Sequence, residues 1–385
     1  MSGIDALVVG AGPAGLATAI GLARRGARAV VLEHRRPPLD KACGEGIMPG
    51  GVRLLAELGV DLARLGGAPM RGIRFLDGER VLEGEFATGP GLGVRRTALS
   101  AALVEAAIRA GVELRFGCSL KRWRVEPGGE ADRVRAMTSV GELRARVLVG
   151  ADGLGSRIRA KAGLASGAAA TPGAEGRWGL RRHYRVAPWT DRVEVHWGDG
   201  IEAYVTPVDR DEVGVAFLSR GLGGRGAGDR RSVGDPGALV SRFPALAARL
   251  AGAETTSRVR GAGPFWQSTR ARTAPGIALV GDAAGYTDAV TGEGITLALR
   301  CADALAGIVA AGAPLERYEA EWRRLSRTHR RFAALLGFGV AHPVLRRVAF
   351  AALERVPGAF EGLLRLAAEE RTPRESRWVA SHRSA

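Results

Sequence analysis

Asparagine is absent from this 385-residue chain, glutamine occurs once at Gln267, and lysine only at Lys41, Lys121 and Lys161. Arginine therefore supplies nearly all of its 56 basic residues, the bias of a GC-rich coding sequence rather than a mark of function. Cysteine is scarce too. Cys43, Cys118 and Cys301 are odd in number, far apart and outside any C-x-x-C pair. That excludes a disulfide framework, and no metal site is expected; the three read as reduced cytosolic thiols. Long apolar runs are missing. The longest uncharged stretch, Ala6 to Ala23, follows Asp5, has no basic leader and is broken by Gly10, Gly12, Pro13, Gly15 and Gly21. It reads neither as a signal peptide nor as a membrane span, so a cytoplasmic chain is expected.

Acidic residues are outnumbered 40 to 56, a net charge of +16. Such a field favours acidic partners or anionic surfaces. No zinc-finger spacing and no aromatic-basic RNA signature accompanies it, so nucleic acid is not expected as a partner. What remains is an ordinary globular mixture, 46% apolar and 25% charged. At roughly 150 residues per domain the length suggests two domains with a helical tail.

The first motif lies near the start. The run Asp5–Gly10 suits a buried parallel strand, and Gly10-Ala11-Gly12-Pro13-Ala14-Gly15 follows it. A helical pattern over 16–25 ends at Gly26, and a second apolar strand, Ala29–Leu32, is closed by Glu33. Strand, glycine loop, helix, strand and terminal acid in this order form a dinucleotide-binding unit. Gly10 permits the tight turn, Gly12 lets the backbone approach a pyrophosphate, and Gly15 lets helix and strand pack closely. The free N–H groups of the helix N-terminus suit phosphate. Glu33, with His34 and Arg35 beside it, is placed to meet the ribose.

Further on, 71–86 reads as a hairpin turning at Asp77-Gly78. A helix is expected over 97–110, with strands at 113–116 and 144–149. From 177 to 218 the pattern turns to β, with alternating runs at 192–197 and 201–208 and a strand at 213–218. The glycine-rich stretch Gly221–Gly237 opens no helix and reads as a surface loop. A strand is expected at 277–280 and a helix at 295–311. The chain is helical and basic from Glu316.

Two further blocks make the pattern specific. Val149-Gly150-Ala151-Asp152-Gly153, with Ser156 and Arg157, is similar to a "GADG-x-x-S-x-x-R" block, and Val280-Gly281-Asp282-Ala283-Ala284 to a "GDAA" block. With the first loop they resemble, over residues 4–325, the FAD-dependent oxidoreductases of the p-hydroxybenzoate hydroxylase fold. The resemblance implies an α/β architecture: a Rossmann-like FAD-binding domain (1–70, 87–170 and 265–325), an inserted antiparallel β-sheet substrate domain (71–86 and 171–264) and a C-terminal basic helical segment (326–385). It implies that the first motif holds the ADP half of FAD and that Asp282 accepts from the ribityl hydroxyls. Thr291-Gly292-Glu293-Gly294-Ile295 would sit at the flavin ring, opening a helix whose N-terminus suits negative charge on reduced flavin. Arg96, or its neighbour Arg95, resembles the family's arginine near the FAD phosphates. Asp152 and Gly153 would serve both FAD and the NADPH or NADH that donates electrons.

The branch is read from local elements. A His-Pro-Pro element common among the hydroxylases is replaced by Gly285–Ile295, more similar to the geranylgeranyl reductase and halogenase branch. Lys41-Ala42-Cys43-Gly44-Glu45-Gly46-Ile47-Met48-Pro49 resembles both the reductases' "CG-x-G" and the halogenases' "GE-x-x-x-P". No lysine lies between Lys41 and Lys121 to handle hypohalous acid, which argues against a halogenase. The first expectation is a single-component monooxygenase acting through a C4a-hydroperoxide on an aromatic, quinone-like or prenylated natural product. The alternative is a reductase of C=C bonds in a prenyl lipid or quinone. Either takes a small hydrophobic substrate, and no obligate protein partner is evident. Trp197, Tyr204 and Trp266 are candidates to line the substrate site, with Trp178, Phe217 and Phe265 behind them. His183 and His196 stand on strands, where histidine is more often structural, so no catalytic base is named. The basic tail reads as an amphipathic cap that could also rest on an anionic membrane face or an acidic carrier protein.

Overall fold

The computed structural model describes residues 3–126, 133–166, 176–219, 235–287, 292, 294–356 and 358–367. A strand covered on both faces must be apolar throughout. Ile4–Val9, apart from Asp5 near its start, and Ala29–Glu33, apart from the acid at its tip, meet that demand and lie parallel, Ala6 opposite Ala29 and Val9 opposite Leu32. The helix Pro13–Ala23 joins them. The parallel part of the sheet runs Ile277–Leu279, Gly141–Gly150, Ile4–Val9, Ala29–Glu33, Glu113–Phe116. Helices Pro13–Ala23, Arg96–Arg109 and Gly294–Ala310 bury their apolar sides in one continuous core with it.

Gly141–Gly150 starts three residues before the expected strand. Its first half pairs antiparallel with Val134–Thr138, which pairs in turn with Leu120–Val125. Arg122 and Arg124 alternate with Trp123 and Val125, and Arg135 stands between Val134 and Ala136, a two-residue period that the expected strands left out.

The second sheet runs Glu254–Thr255, Trp178–Arg185, Glu212–Ser219, Ile201–Asp209, Arg192–Trp197, Gly72–Asp77, Arg80–Glu85, with Arg260–Ala262 also on Trp178–Arg185. The hairpin of the first hundred residues thus joins the inserted domain. It does so through a parallel pairing, Arg192 opposite Gly72 and His196 opposite Leu76, so the sheet is not wholly antiparallel. Ile201, Ala203 and Val205 pack outward against the short helices Pro236–Val240 and Pro244–Arg249. Tyr204 on the opposite face belongs to a second cluster towards the first domain.

The tail departs from expectation in two ways. Helix Glu316–Ala341 is continuous, so a boundary at residue 326 falls inside it. Beyond it the chain, read as helical from Glu316 onwards, is divided into Pro343–Glu354 and Ala359–Ala367, with Gly358 at φ +75° between them. These helices fold back onto the hairpin. A Cβ on Gly84 would lie 2.7 Å from a Leu364 methyl.

Candidate active site

A cavity of about 970 Å³ runs between the two sheets, at the upper end of the roughly 300–1,000 Å³ of ligand sites. One end is the glycine loop. Gly10 has φ +112°, and a Cβ there would meet the Ala151 carbonyl at 2.3 Å. A Cβ on Gly15 would lie 1.9 Å from the Gly10 carbonyl oxygen, so its absence lets helix and strand touch. A Cβ on Gly12 would meet nothing within 4 Å. That open side belongs to the cavity, which Gly10, Gly12, Pro13 and Ala14 line and Gly15 backs. No side chain caps the helix at Gly12, so its first N–H groups suit phosphate. At the tip of the next strand, the buried Glu33 carboxylate accepts from the N–H of Ala11 (3.1 Å) and of Arg35 (2.9 Å). His34 and Arg35 line the same wall.

The second block is held differently from expectation. The Asp152 carboxylate is consumed in its own turn, accepting from the Ser156 hydroxyl and from the N–H of Arg157 (2.8 Å) and Ile158 (3.2 Å). Ser156 in turn caps the helix Arg157–Lys161, its hydroxyl oxygen accepting from the Arg159 N–H at 3.0 Å. The arginine that ties the block down is Arg159, not Arg157. Its guanidinium donates to the carbonyls of Leu154, Asp282 and Ala283 and to Gln267 Oε1. It thereby joins the second motif to the third through the chain's one glutamine. Gly281 and Asp282 line the cavity, and Asp282 Oδ2 meets Lys41 Nζ at 2.7 Å. Gly292, Gly294 and Ile295 line it where the helix Gly294–Ala310 begins. Glu293 and most of the loop Gly221–Gly237 lie outside the described residues.

The choice between Arg95 and Arg96 is made by direction. Arg95 pairs with Glu212 at 2.7 Å on the inserted domain. Arg96 is buried, lines the cavity, and among the described residues its buried Nη1 has no hydrogen-bond partner. Burial lowers its pKa, opposed by the charges of Cys43, Asp282 and Glu45. An orphaned guanidinium nitrogen beside a phosphate-sized opening fits the pyrophosphate of a dinucleotide. With the open face of Gly12 and the uncapped helix, the residues present fit FAD.

Beneath that arginine lies a polar seam between the domains. Glu45, buried at φ +60°, accepts from the Arg96 N–H at 2.7 Å and contacts His183 Nε2. His183 Nδ1 lies 2.7 Å from the Ser257 hydroxyl and 3.0 Å from Arg181 Nη1, and Arg181 pairs with Asp40. His183 is thus an element of the domain junction. His196 is likewise structural, 3.3 Å from Glu194 on the outer face. Cys43 lines the cavity, and its Sγ accepts from the Glu45 N–H at 3.3 Å. Burial raises its pKa, against the charge of Arg96, which keeps it a neutral thiol.

The far end is apolar and includes Phe75, Val195, Leu218 and Phe265. Of the three substrate candidates only Tyr204 lines it. Trp197 is corrected to core. It shares a strand face with Val193 and Val195, but Phe75 (centroids 6.0 Å apart) and the Arg346 guanidinium (4.8 Å) cover it. Trp266 is corrected by one residue. Its backbone, at φ +66°, belongs to a turn in which Phe265 faces the cavity instead. Trp178 and Phe217 pack on the outer cluster. Sequence reasoning missed Phe332, Leu336 and Leu364, tail residues that complete the wall. It missed the lysines as well. All three line this cavity, and their survival against an arginine background is the signal that marked them.

Residues 3–192 match the model of the "FAD binding domain" family. A digeranylgeranylglycerophospholipid reductase from Methanothrix thermoacetophila is 30% identical over 338 residues, 83% of each chain. A 6-methylpretetramide 4-monooxygenase from Streptomyces rimosus is 37% identical, over 42% of this chain and 41% of its own. Among solved structures, a flavoprotein/dehydrogenase from Cytophaga hutchinsonii superposes with a TM-score of 0.80 at 21% identity, covering 95% of this chain and 93% of its own. The site and these similarities define an FAD-dependent redox enzyme. The chain belongs to the FAD-dependent oxidoreductases of the p-hydroxybenzoate hydroxylase fold.

Proposed function

We propose that the enzyme reduces carbon–carbon double bonds in the isoprenoid chain of a lipid or quinone. The observation that carries this reading is the extent of likeness. The reductase relative aligns over 83% of both chains, including the inserted domain, whereas the hydroxylase relative aligns over less than half of each. The local motifs lean only slightly towards the reductase branch, because most of them lie in the cofactor domain that the two branches share. FAD, when bound by these residues, would supply the redox chemistry that carries two electrons from NADPH or NADH to the substrate.

The chain's own residues do the rest. Arg96, Gly12 and the helix N-terminus at Pro13 hold the phosphates, and Asp282 orients the ribityl chain once Lys41 releases it. Phe75, Val195, Leu218 and Phe265 exclude water and align an aliphatic chain. Cys43 keeps a proton on Sγ within the cavity and supplies the second hydrogen of the reduced bond. Burial raises its pKa, so the thiol is protonated at neutral pH.

A second reading, oxygenation of an aromatic substrate, is favoured by the 37% identity to the monooxygenase. One experiment separates the two. The FAD-loaded enzyme is incubated with NADPH or NADH and a polyprenyl quinone or geranylgeranyl lipid, under argon and in air. A product two hydrogens heavier under argon is expected. Turnover only in air, with oxygen incorporated into the product, would establish the second reading instead.

A further inference from the structure

Nine large apolar residues are exposed among the described residues, and six of them, Leu335, Phe338, Val344, Leu345, Val348 and Val356, fall within 22 consecutive positions of the tail. Isolated exposed apolar residues mean little; a cluster marks an interaction surface. Helical periodicity places them. On Glu316–Ala341 the outward stripe runs Arg327, Arg331, Leu335, Phe338, basic at one end and apolar at the other. On Pro343–Glu354 the outward face carries Val344, Leu345, Arg347 and Val348, while Arg346 and Phe350 turn inward.

The charge on this surface has one sign. Of the eight arginines between Trp322 and Val356, Arg323 and Arg324 pair with Glu319 and Glu321 and Arg346 turns inward to Asp77, with Arg327, Arg331 and Arg347 on the outward faces; the single acid of that span, Glu354, is engaged by Arg80 at 2.5 Å. The surface is also held in place. Arg346 donates to both Asp77 oxygens, at 2.8 and 3.2 Å, fixing its helix to the hairpin. The opposite side of the same tail carries Phe332, Leu336 and Leu364, which line the cavity.

We propose that the tail is a docking surface for an anionic lipid bilayer. Its apolar residues enter the headgroup boundary and its arginines meet lipid phosphates. Among the described residues no single helix is long and apolar enough to cross a membrane, and the surface described here calls only for interfacial contact. Docking this way leaves only the tail, whose inner side carries Phe332 and Leu336, between the bilayer and the cavity. An acidic protein would also satisfy the arginines; the bilayer is favoured because the apolar residues cluster at the bend of two helices with arginines beside them, the pattern of an interfacial membrane anchor.

The surface is independent of the reaction, so its test uses no substrate. The full-length, FAD-loaded protein is floated with vesicles of phosphatidylcholine alone and of phosphatidylcholine with phosphatidylglycerol. Binding is expected only to the anionic vesicles and to fall as salt is raised. Each arginine near the surface contributes about fivefold in affinity. The triple variant R327Q/R331Q/R347Q should therefore bind on the order of a hundredfold more weakly, and F338E or V348E should abolish binding. Because these side chains face outward, FAD content and far-ultraviolet circular dichroism should match the parent protein. No flotation at low salt, equal binding to both vesicle types, or full binding by F338E and V348E would overturn the proposal. So would capture of an acidic acyl carrier protein without vesicle binding, which would assign the surface to a protein partner.

Discussion

Removing the Asp77 carboxylate should loosen the tail far more than removing a neighbouring charge that joins the same two elements. The hairpin Gly72–Glu85 and the helix Pro343–Glu354 are tied twice. The Asp77–Arg346 pair is bidentate, with each side chain 4% exposed. The Arg80–Glu354 pair is single and open, with side chains 45% and 32% exposed. Deleting one partner of a buried pair leaves an unpaired charge and costs about 3–5 kcal/mol. An exposed pair is worth roughly 0–1 kcal/mol. Asp77→Ala should therefore speed local opening of the tail by about 10²–10⁴-fold, whereas Arg80→Ala should change it by less than about tenfold. Arg346→Met is expected to fall between them, because Arg347 stands 3.9 Å from Asp77 and can approach the orphaned carboxylate. The assay is hydrogen exchange of tail amides, with trypsin nicking at the tail arginines as a second readout. Replacing both partners, Asp77→Leu with Arg346→Met, should recover much of the protection, since no charge is then left buried. Equal effects of Asp77→Ala and Arg80→Ala would refute the assignment of this pair as the anchor of the tail.

Three further outcomes are expected. Gly12→Val should release FAD from a protein that still folds, because its side chain enters open cavity; Gly15→Ala should lower the melting temperature, because its Cβ would strike the Gly10 carbonyl at 1.9 Å. Flavin content per mole and thermal melts distinguish them, and retained stoichiometric FAD in Gly12→Val would refute the placement of the pyrophosphate. For Cys43, iodoacetamide labelling followed by peptide mass spectrometry should show an inflection above the ordinary thiol value of about 8.5, since burial penalises the thiolate. Cys301, pushed up to about 12 by burial, should stay unlabelled in the folded protein. An inflection for Cys43 at or below the ordinary value would refute its reading as a neutral proton donor. Trp197→Ala should cost about 3–5 kcal/mol of stability, as for other large aromatic truncations in a core, yet leave FAD content unchanged. Unchanged melting with altered substrate selectivity would return Trp197 to the substrate wall.

The sequence by itself determined the cofactor half of this protein. A glycine that must take φ +112°, another that must let a helix touch a strand, and an acid at the next strand tip are demands made within one stretch of about thirty residues. The same holds for the order of the three motifs and for most strand positions, because apolar alternation is local to a strand. What lay beyond local constraint was direction. Arg95 and Arg96 are adjacent and chemically identical, and only the packing of two domains sends one to Glu212 and the other into the cavity. Phe265 and Trp266 differ by one step, and one step turns a side chain to the other face. Trp197 lies on the expected face, but helices nearly 150 residues later in the chain cover it. The three lysines, on a loop at 41, on an antiparallel strand at 121 and at a helix end at 161, line one cavity only because the fold brings these separate elements together. Tertiary structure alone decided which of many apolar residues meet the substrate and how the tail closes over them. Those contacts join segments far apart in the chain, and their geometry is set by how whole elements pack.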